Sequence, residues 1–407
     1  MTAPSARRAE EGEITQELIE RKRRRVGLPT PHLEPAFEFA NLDSMRNYAR
    51  GIGDVNPFYR SADHARASRW GAMVAHPTFM AYMGRSVETE FSAELKATGK
   101  GDPLAGVHAF YSGDEMEWFA PIKEGDRLVV RGGLGSIEAK PSRMGGTAVH
   151  EIKENAYRNQ DGELVGVRRQ LLIRVDRSRA RSQGKNLTLQ VPHRYTPEEI
   201  EKIYADYENE YIRGAEPRYW EDTEPGEAMI PLVKGPYTVT AYICYAEATG
   251  PRNDYHRAHS VAYRYAKDHP RAFPPNDLGY PDTVARVHWD KEMALRAGLP
   301  ETYDFGGERV AWMSHAVTSW MGDDAFLRKI NVRLKAFCFV GDTVWIGGTV
   351  TAKRRDGADR VVDLAIAAVN QRGEEISTAA ATIILPSRDE PGSTVPASIP
   401  PGVSVFA

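Results

Sequence analysis

Four short patterns occur twice, in the same order, in this chain of 407 residues, and this repetition constrains the fold more than any other feature. The first is a helix-like segment that closes on a glycine, at Gly53 and again at Gly250. The second is an apolar helix-like run that starts at Thr78 and again at Val310. A run with so few charges is typical of a helix enclosed by a sheet.

The third pattern is a Gly-Asp turn that leads into alternating strand residues, at Gly125 and at Gly341. The fourth is a hairpin signal of the form N-Q-x-G-E, at Asn159 and at Asn370, each followed by an apolar strand. The two halves are therefore predicted to be structural copies. A long helix followed by several antiparallel strands indicates an α+β fold in which a curved sheet wraps a central helix, and its repetition predicts a double hot-dog.

The domain boundaries follow from these repeats and from shifts in composition. The stretch between the halves carries a helix signal with Thr196 as N-cap and Glu199 completing a capping box. The predicted divisions are a charged extension (1–33), a first hot-dog domain (34–181), an ordered linker (182–226), a second hot-dog domain (227–387) with an insertion at about 257–285, and a flexible tail (388–407).

Composition excludes several classes of partner. The formal net charge of -3 gives no electrostatic reason to expect a nucleic acid, and no apolar run is long enough to span a bilayer. The N-terminus lacks the apolar core of a signal peptide, so a cytoplasmic location is expected. The histidines and carboxylates show no spacing typical of a metal site.

One segment of the first half carries a recognisable motif. It reads GDVNPFYRSADHA from Gly53 and is followed by WGAMVAHPTF from Trp70. This resembles the signature of the MaoC-like hydratases and dehydratases, in which a loop aspartate and a loop histidine handle the α-proton and the water of an enoyl thioester. Asp54 matches the aspartate, with Asn56 in support, but Tyr59 replaces the histidine. Because tyrosine has a pKa of about 10, it is a poor base but a possible proton donor.

The second half resembles the same family less directly. The segment RVHWDKEMA fits the later part of the motif and puts His288 in the place of the histidine, followed by Trp289 and Asp290. Thr283 stands where the aspartate belongs, although the preceding Asp282 could serve if the loop bulges. A second register, GPRNDYH from Gly250, would instead make His256 the histidine. The sequence leaves both registers open.

The resemblance and the residues together give a set of candidate site residues. Asp54 and His288 are the expected acid/base pair, which would have to meet across the interface between the halves, with Asn56 and Tyr59 in support. The backbone N–H groups of Gly306 and Gly307, at the start of the second central helix, are expected to polarise the thioester oxygen. His315, inside that helix, is expected to be a core residue. The candidate substrate-binding residues are Gly306, Gly307, Asp290, His256, His76, Trp289, Arg66 and Arg69.

The resemblance implies reversible hydration of an acyl-CoA thioester, with coenzyme A as part of the substrate and without another cofactor. The large residues near the motifs suggest a bulky acyl group, and exposed sheet edges suggest a homodimer. Because both acid/base pairs are incomplete, the alternative is a non-catalytic acyl-thioester-binding subunit of a hydratase complex. Thioester hydrolysis, with Glu88 or Glu90 as the carboxylate, is a lower alternative.

Overall fold

The computed structural model describes residues 14–31, 35–107, 109–142, 146–175, 193–250 and 258–407. Ten strands within these ranges form a single sheet. They are β1 (Arg85–Ser86), β2 (Ala109–Trp118), β3 (Val129–Pro141), β4 (Thr147–Arg158), β5 (Leu164–Val175), β6 (Leu232–Lys234), β7 (Phe326–Leu334), β8 (Val344–Asp356), β9 (Asp359–Asn370) and β10 (Glu375–Ile384).

The described residues also form nine α-helices. They are α1 (Gln16–Arg23), α2 (Leu42–Gly51), α3 (Ala62–Ala67), α4 (Ala93–Ala97), α5 (Pro197–Glu208), α6 (Val239–Thr249), α7 (His259–Asp268), α8 (Lys291–Arg296) and α9 (Gly306–Met321). Short 3-10 turns lie at Pro57–Tyr59, Pro77–Tyr82, Trp220–Asp222, Pro270–Ala272 and Val284–His288. Within these ranges, no helix is both long enough and apolar enough to cross a lipid bilayer.

The strand order shows the duplication directly. It runs β1-β3-β4-β5-β2 in the first half and continues β7-β10-β9-β8-β6 in the second, so that β2 and β7 meet in the middle. This central pair is antiparallel, with Gly113 opposite Arg333 and Glu117 opposite Lys329. The α+β double hot-dog predicted from the repeats is confirmed. The two half-sheets form one continuous layer through strand pairing, and we call this boundary the seam.

The third and fourth repeated patterns are joined by equivalent hydrogen bonds in both halves. Asp126 accepts hydrogen bonds from the backbone N–H of Lys123 (2.7 Å) and from the side-chain amide of Gln160 (3.1 Å). In the second half, Asp342 accepts from the backbone N–H of Phe339 (3.0 Å) and from Gln371 (2.9 Å). The hairpin glutamine therefore fixes the Gly-Asp turn in each copy.

The first repeated pattern also forms equivalent helices. Asn41 caps the start of α2 and Thr238 caps the start of α6, each with its side chain accepting a backbone N–H. The two helices pack closely where Gly51 meets α6. A methyl group at Gly51 would lie 2.3 Å from the Cβ of Ala248, so this approach requires glycine.

The second pattern gives different structures in the two halves. In the second half, α9 is buried from Gly307 to Met321 and forms the central helix. In the first half, the predicted helix from Thr78 is reduced to the 3-10 turn Pro77–Tyr82, and this expectation is corrected. Gly84 turns the chain there with a φ of +100°. Polar residues follow it, and burying them inside a sheet would cost free energy. The chain thus has one long central helix among its described residues.

Segments outside the sheet also contact the rest of the fold. The linker helix α5 begins with the predicted capping box, in which Thr196 and Glu199 exchange hydrogen bonds. Within the segment 388–407, predicted as a flexible tail, Phe406 fills an apolar cluster with Phe119 and Val167 of the first half. From the insertion, α7 contributes no buried residue.

Candidate functional site

The motif loop of the first half lies at the seam and forms hydrogen bonds with residues of both halves. Gly53 ends α2 with a φ of +74°, and Asp54 follows with its backbone N–H bonded to the carbonyl of Ala49 (2.8 Å). Asp54 Oδ1 accepts the backbone N–H of Asn56 (2.8 Å). The Asn56 side chain donates to Asp323 Oδ1 (2.8 Å), just beyond the end of α9. The loop of one half is therefore bound to the central helix region of the other.

Asp54 faces His315 of α9 across the two halves. The distance between Asp54 Oδ1 and His315 Nε2 is 3.5 Å, and each side chain is 1% exposed. Asp54 Oδ2 and His315 Nε2 have no hydrogen-bond partner among the described residues. Burial alone would raise the pKa of Asp54, but His315, followed by His76 and the Asn56 amide, brings that pKa below its usual value. Unpaired polar atoms in such a buried place are typical of a reactive site.

Lys234, at the end of β6, completes this group from the second half. Its Nζ donates to the carbonyl of Ile52 (2.8 Å) and lies 2.9 Å from His315 Nδ1. Burial lowers the pKa of Lys234 to about 8, against the opposing effect of Glu210, Asp54 and Glu308. Burial and Lys234 also lower the pKa of His315, so its imidazole is neutral at pH 7.

His76 lies beside the same group, at the start of the 3-10 turn of the first half. Its Nδ1 is 3.0 Å from the hydroxyl of Thr78, which also accepts from Tyr48 (2.8 Å). Burial lowers the pKa of His76 to about 3, so it too is neutral at pH 7. Its ring packs against Tyr59, with 5.2 Å between the centroids.

Tyr59 is buried, packs against His76 and lines an apolar cavity. Burial, followed by Asp54 and Asp323, raises the pKa of Tyr59 well above its usual value, so its hydroxyl keeps its proton. The cavity measures about 40 Å³. Its lining combines five aromatic residues with other apolar residues and one acid, Asp323; the aromatic residues are Phe58, Tyr59, Trp70, Trp118 and Phe326.

His288 lies apart from Asp54, near the start of α9. Its Nδ1 is 3.0 Å from the carbonyl of Tyr303, so this nitrogen carries the proton and donates it. Its ring stacks on Tyr242 with 5.7 Å between centroids. Within the described ranges Asp54 faces His315, and no ion pair joins Asp54 to His288. The expected Asp54–His288 pair is therefore not brought together.

The other residues of the second motif have structural contacts. Asp290 caps α8 by accepting the backbone N–H groups of Glu292 and Met293. Trp289 stacks on Tyr242, and Asp282 pairs with Arg286 at 3.6 Å. His256 lies outside the described residues.

Gly306 and Gly307 begin α9, as expected, and the ring of Tyr111 from the first half covers Gly306. His315 follows Gly306 by nine positions, which at 1.5 Å per residue is roughly 13 Å along the helix. A small acyl head group bound by these two amides would not reach the Asp54–His315 pair.

The two candidate arginines lie on the surface, and of the two candidate thioesterase carboxylates Glu88 is partly buried and Glu90 is exposed. Arg66 pairs with Glu124 (3.2 Å), and Arg69 donates to the carbonyls of Gly392 and Asp324. Glu88 pairs with Arg131, and both Glu88 and Glu90 follow the short first-half turn, so neither is on a central helix.

Sequence reasoning missed the roles of His315 and Lys234 in this group. His315 carried one signal, because it is an ionisable residue inside an otherwise apolar helix, which makes it costly to bury without a partner. Lys234 ends a three-residue strand, and its sequence context gives no comparable signal.

Comparisons with known proteins agree with this architecture. A family model described as "FAS1-like, dehydratase domain region" matches residues 38–168. A UPF0336 protein of Streptomyces coelicolor is 30% identical over 128 residues, which are 30% of this chain and 75% of that relative. A protein of Thermomonospora curvata named "Probable enoyl-CoA hydratase alpha subunit" is 27% identical over 37% of this chain and 48% of its own length.

Solved structures extend the likeness to both halves. A "MaoC-like dehydratase" superposes with a TM-score of 0.59 at 18% identity, over 89% of this chain and 98% of that one. The Mycobacterium tuberculosis protein RV0216, described as having a double hotdog fold, superposes with a TM-score of 0.51 at 10% identity over 88% of this chain and 96% of its own. The chain therefore belongs with the UPF0336 proteins, and it has the double hot-dog fold of MaoC-like dehydratases, with the FAS1-like dehydratase region in its first half.

Proposed function

We propose that this chain catalyses the reversible addition of water to a 2-enoyl thioester, with Asp54 and His315 as its acid/base pair. At the level of the family, it is a hydratase or dehydratase of acyl thioesters. The residue assignment rests on one observation: Asp54 Oδ1 and His315 Nε2 lie 3.5 Å apart, buried between the two halves. The motif loop keeps its aspartate, Tyr59 replaces its histidine, and the central helix of the other half supplies an imidazole.

The pair can divide the two proton transfers of the reaction. In the dehydration direction, the Asp54 carboxylate removes the α-proton, and His315 donates the proton on Nε2 to the departing β-hydroxyl group. The Cα–H and Cβ–O bonds break, the double bond forms and water leaves. Hydration follows the same path in reverse. Adjacent carbons of one substrate fit against two groups this close together, so both transfers can occur in one bound geometry.

Tyr59 supports the pair as the hydrogen-bond donor to the thioester oxygen. Its raised pKa keeps the hydroxyl protonated at neutral pH, next to Asp54. A protonated donor aimed at an oxygen that gains charge stabilises the enolate. This role replaces the one expected of Gly306 and Gly307, which lie too far along α9 from His315.

Substrate entry requires a movement at Tyr59. Asp54 and His315 are almost completely buried, and Tyr59 packs against His76 and lines the apolar cavity. We propose that the acyl group enters through this cavity and turns the Tyr59 ring aside. The apolar lining favours an apolar acyl group, and coenzyme A is the proposed carrier.

The test is an absorbance assay that follows loss of the conjugated enoyl band with a panel of enoyl-CoA thioesters. We expect Asp54→Asn and His315→Gln each to lower kcat by at least about 100-fold, which is typical for loss of a general acid or base. His288→Gln is the matched control and should retain activity close to that of the wild type. Loss of turnover in His288→Gln with full activity in Asp54→Asn would place the chemistry at the start of α9 instead.

The second candidate is a non-catalytic subunit that binds an acyl thioester. The closed position of Asp54 and the replacement of the loop histidine by Tyr59 favour it. It predicts no turnover of any enoyl thioester by the wild type, together with acyl-CoA binding that Trp70→Ala weakens through the cavity lining.

A further inference from the structure

We propose that Lys234 is a positioning residue of this site, which holds the proton of His315 on Nε2 and replaces that proton during turnover. This inference rests on the proposed function. A neutral imidazole that gave up its Nε2 proton would become an anion, unless Nδ1 received a proton at the same time. Lys234 is the group that contacts Nδ1.

The contact between Lys234 and His315 determines the tautomer of the imidazole. An ammonium group has three N–H donors and no lone pair, so it can only donate. Its donation to the carbonyl of Ile52 (2.8 Å) fixes its position, and its second contact at 2.9 Å requires Nδ1 of His315 to accept. The ring proton therefore sits on Nε2, which faces Asp54 Oδ1. Without this contact, the tautomer with the proton on Nδ1 would also be available, and in that form His315 could not donate toward the substrate.

The surroundings of Lys234 keep it charged at neutral pH and yet able to release its proton. Asp54 and His315 face it from the loop after α2 and from α9, and Glu308 faces it from the first turn of α9. Glu210 follows α5 and accepts the backbone N–H of Val233 (2.7 Å), next to the lysine in β6. These carboxylates oppose the effect of burial, and the resulting pKa of about 8 is close enough to neutrality for transfer to an imidazole.

The proton transfers balance within the three side chains. In dehydration, Asp54 gains the α-proton, the Nε2 proton of His315 leaves in the water molecule, and Lys234 passes a proton to Nδ1. Lys234 is then an amine, His315 is still neutral, and Asp54 is a carboxylic acid. After the product leaves, Asp54 returns its proton to Nε2, and the proton on Nδ1 passes back to Lys234. The site is restored without any further reactant.

The kinetic test compares Lys234→Met with Lys234→Arg. Methionine removes the donor, while arginine can still donate to Nδ1 but does not release a proton, because its pKa exceeds about 12. We expect kcat to fall by about 100-fold in both variants, with KM within about threefold of the wild type. The control is Lys335→Met, which removes a surface lysine and should leave both constants unchanged. A kcat within about threefold of the wild type in either Lys234 variant would overturn the proposal.

A second readout does not depend on turnover or on any Lys234 variant. Two-bond ¹H–¹⁵N spectra of wild-type protein with labelled histidine rings report the tautomer of each ring, and the His315→Gln variant identifies the His315 signals. We expect the Nε2-protonated form below pH 8 and a shift toward the Nδ1-protonated form above it, when the free amine of Lys234 can accept. A His315 protonated on Nδ1 at pH 6.5 would overturn the proposal.

Failure of this inference can be distinguished from failure of the proposed function. If Asp54→Asn and His315→Gln abolish turnover but Lys234→Met does not, only the role of Lys234 is wrong. If none of the three affects turnover, the acid/base assignment is wrong as well.

Discussion

Tyr59 occupies the loop position where the family resemblance leads one to expect a histidine, yet an imidazole is still present beside Asp54. His315 supplies it from α9, 3.5 Å from Asp54 Oδ1. The loop motif identified Asp54 because the matching residues are adjacent in the chain. The partner of Asp54 could not be identified in this way, since His315 is 261 positions further on and only the packing of the two halves brings it close.

The proposed role of Tyr59 predicts the effect of removing its hydroxyl group. Tyr59→Phe keeps the buried ring and removes the donor to the thioester oxygen. We expect kcat for enoyl-CoA hydration to fall by about 100-fold, as for the loss of one oxyanion donor, with little change in the unfolding temperature. Tyr263→Phe, at a side chain that is 68% exposed, is the control. An unchanged kcat in Tyr59→Phe would exclude the hydroxyl as a donor.

The buried histidines predict that the protein loses stability in mild acid. The pKa of His76 is about 3 in the folded chain and about 6.5 when unfolded, so the unfolded chain binds more protons between these values. Stability therefore falls as the pH drops below 6.5, by about 2 kcal/mol at pH 5 from His76 alone. The lowered pKa of His315 acts in the same direction.

Urea unfolding at pH 7 and at pH 5 measures this effect. We expect the difference in unfolding free energy between the two pH values to be smaller in His76→Gln than in the wild type. His269→Gln, which changes an exposed histidine, should show the wild-type difference. An equal pH dependence in His76→Gln and the wild type would contradict the assignment to His76.

Among the elements, the first-half turn Pro77–Tyr82 shows most clearly where local pattern and fold diverge. The sequence from Thr78 has apolar spacing that suits a helix, and the equivalent segment from Val310 does form one. Periodicity reports which residues can share a buried face, but it does not report whether the sheet leaves room for a full helix. In the first half, aromatic residues of α2 and of the turn fill that room, among them Tyr48 and Phe79 at 5.2 Å.

The close packing of α2 on α6 predicts a stability cost for a single methyl group. In Gly51→Ala the new Cβ would lie 2.3 Å from the Cβ of Ala248 and 2.9 Å from a backbone oxygen of α6, so the helices must separate. We expect a loss of about 1–3 kcal/mol in unfolding free energy, as for overpacking in a core. Chemical denaturation measures it. Gly347→Ala is the control, because its nearest contact would be an ordinary 3.6 Å.

At the scale of the whole molecule, the sequence predicted the duplicated architecture but not how the copies join. The paired turns and hairpins were visible because each is a local signal, and Asp126 and Asp342 have equivalent contacts in the structure. The pairing of β2 with β7 joins strands more than 200 positions apart, and nothing in either strand marks its partner.

The seam predicts that the two halves unfold together. Strand pairing and a shared core connect them, so tryptophan fluorescence and far-ultraviolet circular dichroism should give coincident urea transitions. In Gly113→Val, the new Cβ would lie 2.2 Å from the carbonyl oxygen of Val332 across the seam. The unfolding transition of this variant should therefore move to a lower urea concentration. Gly392→Val, where the nearest atom is 3.9 Å away, is the control. Two separate transitions in the wild type would show that the halves are independent.

The covalent joining of the halves has a consequence for ligand stoichiometry. Two identical chains would carry every residue of such a boundary twice, once on each side of the symmetry axis, and would form two equal reaction centres. Here the loop with Asp54 occurs on one side and the helix with His315 on the other, so the arrangement is present once per polypeptide. Titration with a tight, slowly released thioester analogue should therefore reach its end point at one equivalent per chain, whatever the number of chains in the assembly.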